Sequence, residues 1–340
     1  MKIMNMALIK NTLMHAAVIV TLIAVLIIAF YFYGIRMPGK SYDGPLAALS
    51  PAAQKLRDRL SDHVRELSVQ IGERNAHKRE KLEQAAAYIE QQFASFGYVP
   101  KSEIVNDKGN RNIVVDLYGK KDRNRILLVG AHYDTTWLTP GADDNASGVA
   151  ALLEIARTLH DKQLPITIRF VAFVNEEFPW YGTSNMGSLF HATHARQTNE
   201  NIVGMFSLEM LGYYSNQRRS QYYPKMVRPF YPRRGNFIAF VSNILSRQLL
   251  VDSITAFRTQ EDFPSQGLAA PAWLVPGIRR SDHASFWLNG YKAIMITDTA
   301  NYRNYGYHNA GDTYKTLDYD RMTRVVEGIT KVLVTLANKY

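Results

Sequence analysis

Two glutamates stand side by side at the end of an apolar run. The stretch FVAFVNEEFPW, residues 170–180, opens with Phe170, Val171, Ala172, Phe173 and Val174 and closes on Glu176, Glu177 and Pro179. Its apolar part has the composition of a strand, and a strand that buries its body gains nothing from two like charges at its end. Similar groups recur along the chain. AHYD carries His132 and Asp134, PGADDNASG carries Asp143 and Asp144, SLEM carries Glu209, and YHNAGDT carries His308 and Asp312. Carboxylates gathered at that density repel one another unless they are protonated or share cations. Histidine with carboxylate, in a chain that has no cysteine, suits Zn²⁺ or a similar divalent ion. Two ions ~3.5–4 Å apart, bridged by a carboxylate, accommodate this many anions. Singly, each piece has a structural reading. Asp143 and Asp144 would start a helix beside Ser147, the glutamate pair would be a solvated strand end, and His308 would be a loop residue near glycine.

The elements around these residues decide between a scatter of structural pieces and one site. Leu56, Leu60, Val64, Leu67 and Ile71 recur near helical spacing and predict a helix over 50–73. A second helix fits 79–97, with Gly97 as its end. Residues 147–160, 185–195, 235–249 and 318–338 also read as helices. Strands are expected at 112–119, 125–134, 166–174, 201–210 and 291–299. Strands alternating with helices predict an α/β chain, a three-layer α/β/α sandwich around a mostly parallel, mixed central sheet. Several strands are apolar on both faces, as buried parallel strands are. Ligands of such sheets bind beyond the carboxyl ends of the strands. The histidines and carboxylates lie at those ends or on the adjoining loops, so the fold gathers them at one edge.

The order AHYDT, PGADDNASG, FVNEE, SLEMLGY, YHNAGDT resembles the co-catalytic zinc exopeptidases that include bacterial leucyl aminopeptidase, aminopeptidase S and glutamate carboxypeptidase. The resemblance covers roughly residues 50–340, and the five motifs together are specific where none alone would be. It implies two Zn²⁺ per chain. His132 would bind one ion, with the Asp134 carboxylate behind its imidazole. Asp144 would bridge the ions and be followed by a cis peptide bond. Glu177 and His308 would bind the second ion. Glu209 would complete the first set, where many members carry aspartate. Glu176 would stay unliganded and take a proton from the attacking water, passing it to the leaving amine. A single carboxylate cannot be both a tight ligand and a mobile base, which is a reason for two glutamates. Asp282 and His283 of SDHASFW would support the site, and Asp312 and Thr313 would fix the loop after His308.

The activity that the resemblance implies is that of an aminopeptidase acting on peptides. Glutaminyl cyclases share the fold and use one catalytic zinc, and Trp180 keeps that reading open. A carboxypeptidase or dipeptidase is a further alternative. A non-catalytic binding domain would be marked by loss of Glu176 or of ligands, and neither is lost.

The first 40 residues are different in kind. Between Thr12 and Gly34 there is no Asp, Glu, Lys or Arg, and AAVIVTLIAVLIIAFYFYG has the ~20-residue length that crosses a bilayer core. Tyr31 and Tyr33 sit where an interfacial belt would be. A cleaved signal has a shorter apolar core and ends at small residues. Residues 1–40 are therefore read as a membrane anchor with its flanks, an N-terminal transmembrane helix, and 41–340 as the zinc peptidase catalytic domain. Lys2 and Lys10 before the span nearly balance Arg36 and Lys40 after it. A short tail followed by a large domain favours a single-pass protein whose catalytic domain is extracytoplasmic, periplasmic in a bacterium. The net charge is +10. Four basic residues in 1–40 and six in 214–234, with no acid in either segment, account for all of it. A nucleic-acid-coating protein spreads its charge along a face, so no nucleic-acid partner is expected. The basic segment reads as a solvated loop or as a rim that steers acidic groups.

Overall fold

The computed structural model describes residues 2–275 and 277–340; Met1, Pro276 and the side chains of residues 2–7, including Lys2, lie outside that description. The chain divides into two compact units, Met1–Arg36 and Met37–Tyr340. The first is helix α1 (Lys2–Phe30), continued by a wider turn over Tyr31–Ile35. Leu8–Ile35 spans 28 residues and contains an 18-residue stretch with a mean hydropathy of 2.8, long and apolar enough to cross a membrane.

The second unit begins with helices α2 (Pro51–Arg65) and α3 (Arg79–Ser95). Ser50 caps α2 by accepting a hydrogen bond from Ala53 N at 3.2 Å, with Pro51 in the first turn. Strands β1 (Lys101–Ile104), β2 (Arg111–Leu117) and β3 (Asp122–His132) follow, then helix α4 (Gly148–Leu159) and strand β4 (Ile166–Phe173). Next come α5 (Gly187–Gln197), β5 (Asn201–Glu209), β6 (Ile238–Ser242), α6 (Arg247–Gln260) and β7 (Ser265–Ala269). The unit ends with α7 (His283–Leu288), β8 (Ala293–Thr297) and α8 (Tyr319–Lys339).

The eight strands form one mixed sheet in the order β1-β2-β4-β3-β5-β8-β6-β7. The central run β4-β3-β5-β8 is parallel, and β2, β1 and β6 join antiparallel to their inner neighbours. Helices α2, α3, α4, α6 and α8 bury their apolar sides against one face, with Leu127, Val129, Phe170 and Phe206 beneath them. α5 and α7 cover the other face over Leu128, Val171, Phe173 and Met205. The result is the three-layer α/β sandwich that the alternation of elements predicts. Gly130 permits the close approach of β3 to β4, since a Cβ there would lie 2.2 Å from the Phe173 ring.

One expected element is wrong. Residues 235–249 are not a helix. Ile238–Ser242 is strand β6, paired with β7 and β8, and the helix begins only at Arg247. All five strand residues are buried, so both faces are apolar, and such a run looks alike as a buried strand and as a buried helix. The two short strands β1 and β7 had no sequence expectation.

The arrangement fixes where chemistry can occur. β3, β4 and β5 run in one direction, with His132 in register with Phe173. Their carboxyl ends therefore deliver His132, the Glu176–Glu177 pair and Glu209 to one edge of the sheet.

Candidate metal centre

At that edge lie two groups of side chains that can hold a metal ion. His132, Asp144 and Glu209 form the first, and Asp144, Glu177 and His308 the second. In the first group, His132 Nε2 is 3.3 Å from Asp144 Oδ1 and 3.4 Å from Glu209 Oε2. In the second, His308 Nε2 is 3.1 Å from Asp144 Oδ2 and 3.3 Å from Glu177 Oε1. Asp144 serves both groups with different oxygens. Ligands ~2.0–2.1 Å from a tetrahedral Zn²⁺ stand ~3.3–3.4 Å from one another, so the spacing of these donors fits zinc.

Four of the five donors, all but His308, are held from behind. The His132 Nδ1 lies 3.2 Å from the Asp134 carbonyl oxygen and 3.5 Å from its carboxylate, which leaves Nε2 for an ion. The same Asp134 carboxylate accepts the backbone N–H groups of Glu176 and Glu177, both at 3.0 Å. Asp312 holds the other side of the centre in the same way, accepting from Asp143 N at 2.8 Å and Asp144 N at 3.0 Å. Glu209 Oε2 accepts a hydrogen bond from Ser281 Oγ at 2.7 Å, and Ser207 Oγ is in turn 2.7 Å from Ser281 Oγ.

The loop before α4 is where the two adjacent aspartates part. Gly141 adopts φ 62°, and a Cβ there would lie 2.3 Å from Thr135 Cγ2 and 2.6 Å from the Asp144 carbonyl oxygen. The Asp144–Asn145 peptide is cis. Asp144 turns its carboxylate into the centre. Asp143 turns inward, accepting from Gly212 N at 2.9 Å and Asn304 Nδ2 at 2.8 Å. Neither aspartate caps α4, which starts at Gly148; the backbone is non-helical at Asp144 and Asn145. Asn145 ties the loop to β5, donating to the Leu208 carbonyl at 2.8 Å and accepting from Met210 N at 3.0 Å.

The electrostatics are those of a buried anionic cluster that calls for cations. Burial works against a charged His132, yet the charge of Glu209 and the bonds of Asp134, Asp144 and Glu209 raise its pKa well above the usual imidazole range. His308 is raised to about 10, against burial, by Asp144 and Glu177. Burial and the charge of Asp144 push Glu177 up to about 7, against the pull of His308. Protons bind here because positive charge is wanted, and divalent ions meet the same demand. Glu176 is buried, and burial with the charges of Glu177 and Glu209 raises its carboxyl well above the normal range, against His132. Among the described residues none hydrogen-bonds that carboxylate.

Asp282 and His283 stand behind the centre. Both are fully buried. Burial pushes the Asp282 carboxyl up to about 7, against His132, and lowers His283 to about 4. His283 Nε2 meets the Ile278 carbonyl at 2.8 Å, and its ring stands edge-on to Trp287. Trp180 lies under the Lys108 ammonium and does not line the cavity beside Glu209. The support that sequence reasoning missed is Arg74. It is fully buried and donates to the carbonyls of Tyr133, Leu67, Gly72, Pro140 and Gly141, tying the loops around β3 together. Burial lowers its pKa to about 10 while Asp134, Asp312 and Asp144 resist that shift. Arg74 sits among four other charged residues in ERNAHKRE, and no periodicity separates it from them.

Residues 112–333 match the model of peptidase family M28. The chain belongs to peptidase family M28. It is 40% identical over 288 residues to the uncharacterized protein YfbL of Escherichia coli (strain K12), covering 81% of this chain and 87% of that one. It is 28% identical over 262 residues to a probable zinc metalloprotease of Pyricularia oryzae, covering 67% of this chain and 50% of the relative, so the chain spans about half the length of that fungal protein. Among solved structures, an aminopeptidase from Aneurinibacillus sp. superposes with a TM-score of 0.63 at 16% identity, covering 83% of this chain and 94% of the other. The Porphyromonas gingivalis glutaminyl cyclase does so with a TM-score of 0.61 at 20% identity, covering 82% and 97%. These last two share the fold of this M28 chain. M28 is a peptidase family, several relatives of this chain carry the name probable zinc metalloprotease, and two ligand groups suited to zinc are present.

Proposed function

We propose that this M28 protein is an aminopeptidase that hydrolyses N-terminal residues from peptides and uses two Zn²⁺, one held by His132, Asp144 and Glu209 and the other by Asp144, Glu177 and His308. The observation that carries the reading is the pair of three-donor groups sharing Asp144, with the unbonded Glu176 carboxylate beside them. Zinc bound there supplies a Lewis acid that polarises the scissile carbonyl and acidifies water. Glu176 is the general base: its carboxylate takes a proton from the attacking water and delivers it to the nitrogen of the leaving peptide. Asp134 positions both partners of that step, orienting His132 through Nδ1 and fixing Glu176 through its backbone N–H.

Two features support a free N-terminus as the recognised end. Asp144, Glu176, Glu177 and Glu209 give the centre more carboxylates than a substrate carboxylate would tolerate, and an α-ammonium complements them. Beside Glu209 opens a cavity of about 120 Å³ whose walls include Tyr223, Phe237, Val241, Ile278 and Met295. A space of that order, similar to the ~150 Å³ apolar cavity that admits benzene, suits a leucine-sized or aromatic first side chain. The reading extends to the whole chain as residues 1–40 anchoring a catalytic domain of 41–340, with that domain on the extracytoplasmic side.

The test is a matched pair of peptides that differ only in N-terminal acetylation. Release of the first residue from the free peptide alone, by protein that retains two zinc ions after dialysis, is expected. Cleavage from the C-terminal end overturns the aminopeptidase reading. Cyclisation of an N-terminal glutamine without cleavage, with one ion bound, makes the chain a glutaminyl cyclase.

A further inference from the structure

Apart from Tyr223 and its neighbours on the wall of the cavity beside Glu209, the basic segment 214–234, with Arg218, Arg219, Arg233 and Arg234, has no part in the chemistry above. It is nevertheless built rather than loose. The Tyr223 and Tyr231 rings stack with centroids 5.6 Å apart. Tyr223 OH donates to the Pro232 carbonyl at 2.6 Å, and Tyr231 OH to the Gly267 carbonyl at 2.7 Å. Ser215 N and the Gly235 carbonyl close its base at 2.8 Å. On this scaffold Arg218, Arg219, Arg233 and Arg234 line one open groove of about 570 Å³, in which Asp43 is the single carboxylate. Among the described residues none of these four guanidiniums has an ion-pair or hydrogen-bond partner. Like charges held together without counter-charge raise the energy of the fold, and an anion in the groove reverses that.

The other wall of the groove indicates which anion. Ser41, Tyr42, Asp43 and Gly44 line it, and this stretch is fastened to the catalytic unit. Ser265 N donates to Ser41 Oγ at 2.9 Å, Arg258 Nη1 donates to the Pro38 carbonyl at 2.8 Å, and Met37 is buried where it packs on Gly267. In the sequence the apolar run Leu8–Ile35 ends two residues before Met37, and consecutive Cα atoms are only ~3.8 Å apart. The groove thus borders the point where the chain enters the catalytic unit. We infer that the arginine groove binds the phosphate headgroups of anionic phospholipids and so docks the catalytic unit on the bilayer surface. The inference rests on the reading of residues 1–40 as a membrane anchor. Guanidinium is the side chain best matched to phosphate oxygens, and Tyr42 suits the headgroup level.

The experiment uses the full chain reconstituted in nanodiscs of phosphatidylcholine, with and without phosphatidylglycerol carrying a photoactivatable headgroup. Crosslinks are mapped by mass spectrometry. Crosslinking of residues 214–236 to the anionic lipid is expected, reduced by about tenfold or more when all four arginines become glutamate, with peptidase turnover of that variant unchanged as the check on folding. Equal crosslinking of both proteins, or none in 214–236, overturns the proposal. Loss of the crosslinks on adding inorganic phosphate shows a soluble-anion site and also overturns it. So does a variant that keeps the crosslinks but shows a raised KM for acidic peptides only, which makes the groove a substrate rim. Alkaline washing of the membranes separates the two layers of the argument: a released full-length chain removes the anchor, whereas a retained chain without crosslinks removes only the lipid site.

Discussion

Glutamine in place of Glu176 keeps the volume of the side chain and removes its ability to accept a proton. Turnover by the Glu176→Gln protein is expected to fall by ~10²–10⁴-fold. Its zinc content should match the wild type, because Glu176 belongs to neither donor group. Near-normal kcat in zinc-loaded Glu176→Gln protein would remove the base from this residue. A second residue shows how burial and pairing trade against each other away from the centre. Glu154 is buried on α4 and is met by His63, Arg157 and Arg59. Burial alone would raise its pKa, but those hydrogen bonds outweigh it and bring the carboxyl down to about 2. The folded-state pKa is therefore below the unfolded one. The stabilisation is present above about pH 4.5 and disappears as the pH falls toward 2, and it amounts to ~3 kcal/mol. Glu154→Gln should lose that amount at pH 7, and its denaturant midpoint should vary less than that of the wild type between pH 5 and about 2. Parallel pH profiles for the two proteins would show that the network contributes nothing to acid sensitivity.

At the scale of elements, the centre depends on loops that are tied to one another rather than to their own strands. Asp134, after β3, holds the backbone after β4, and Asp312, before α8, holds the backbone before α4. Gly141 is the tightest point of this arrangement. An alanine there adopts a left-handed conformation at a cost of ~1–2 kcal/mol and presses on Thr135 and on the Asp144 backbone. Gly141→Ala should lower zinc affinity by about tenfold or more, in the range seen when the supports of a ligand are removed, and competition with a chromophoric chelator measures it. Unchanged affinity would mean that the loop relaxes without moving Asp144. The strands that carry the ligands are readable from sequence, because each apolar run stops abruptly at a charged pair or a histidine and the run lengths are those of strands. β6 is not, since Ile238, Ala239, Phe240 and Val241 are apolar in every direction and carry no period. The ligand candidates were legible because five motifs keep a fixed order. Arg74 was not, since its partners are backbone carbonyls brought near by topology and nothing adjacent in the sequence reports it; Ser281 stands in SDHASFW, but its bond to Glu209 depends on a strand end that only the topology brings near.

At the scale of the whole molecule, the uncharged run in the first unit predicts that the full chain fractionates with membranes and resists alkaline extraction, whereas a chain starting at Met37 is released and retains turnover. Full-length protein found in the soluble fraction with its first 34 residues attached would contradict the anchor. The strand order has a consequence in time. β8 is the last strand in the sequence, yet it lies between β5 and β6. Until it arrives the sheet is two separate pieces, and the cavity beside Glu209, walled by residues from β6, β7 and β8, does not exist. His308 follows β8 and is the last donor to be made. Ribosomes build the chain from its N-terminus, so a growing polypeptide carries its acidic clusters long before it carries both donor groups. The second donor group, which needs His308, can therefore be complete only once synthesis has passed the final strand.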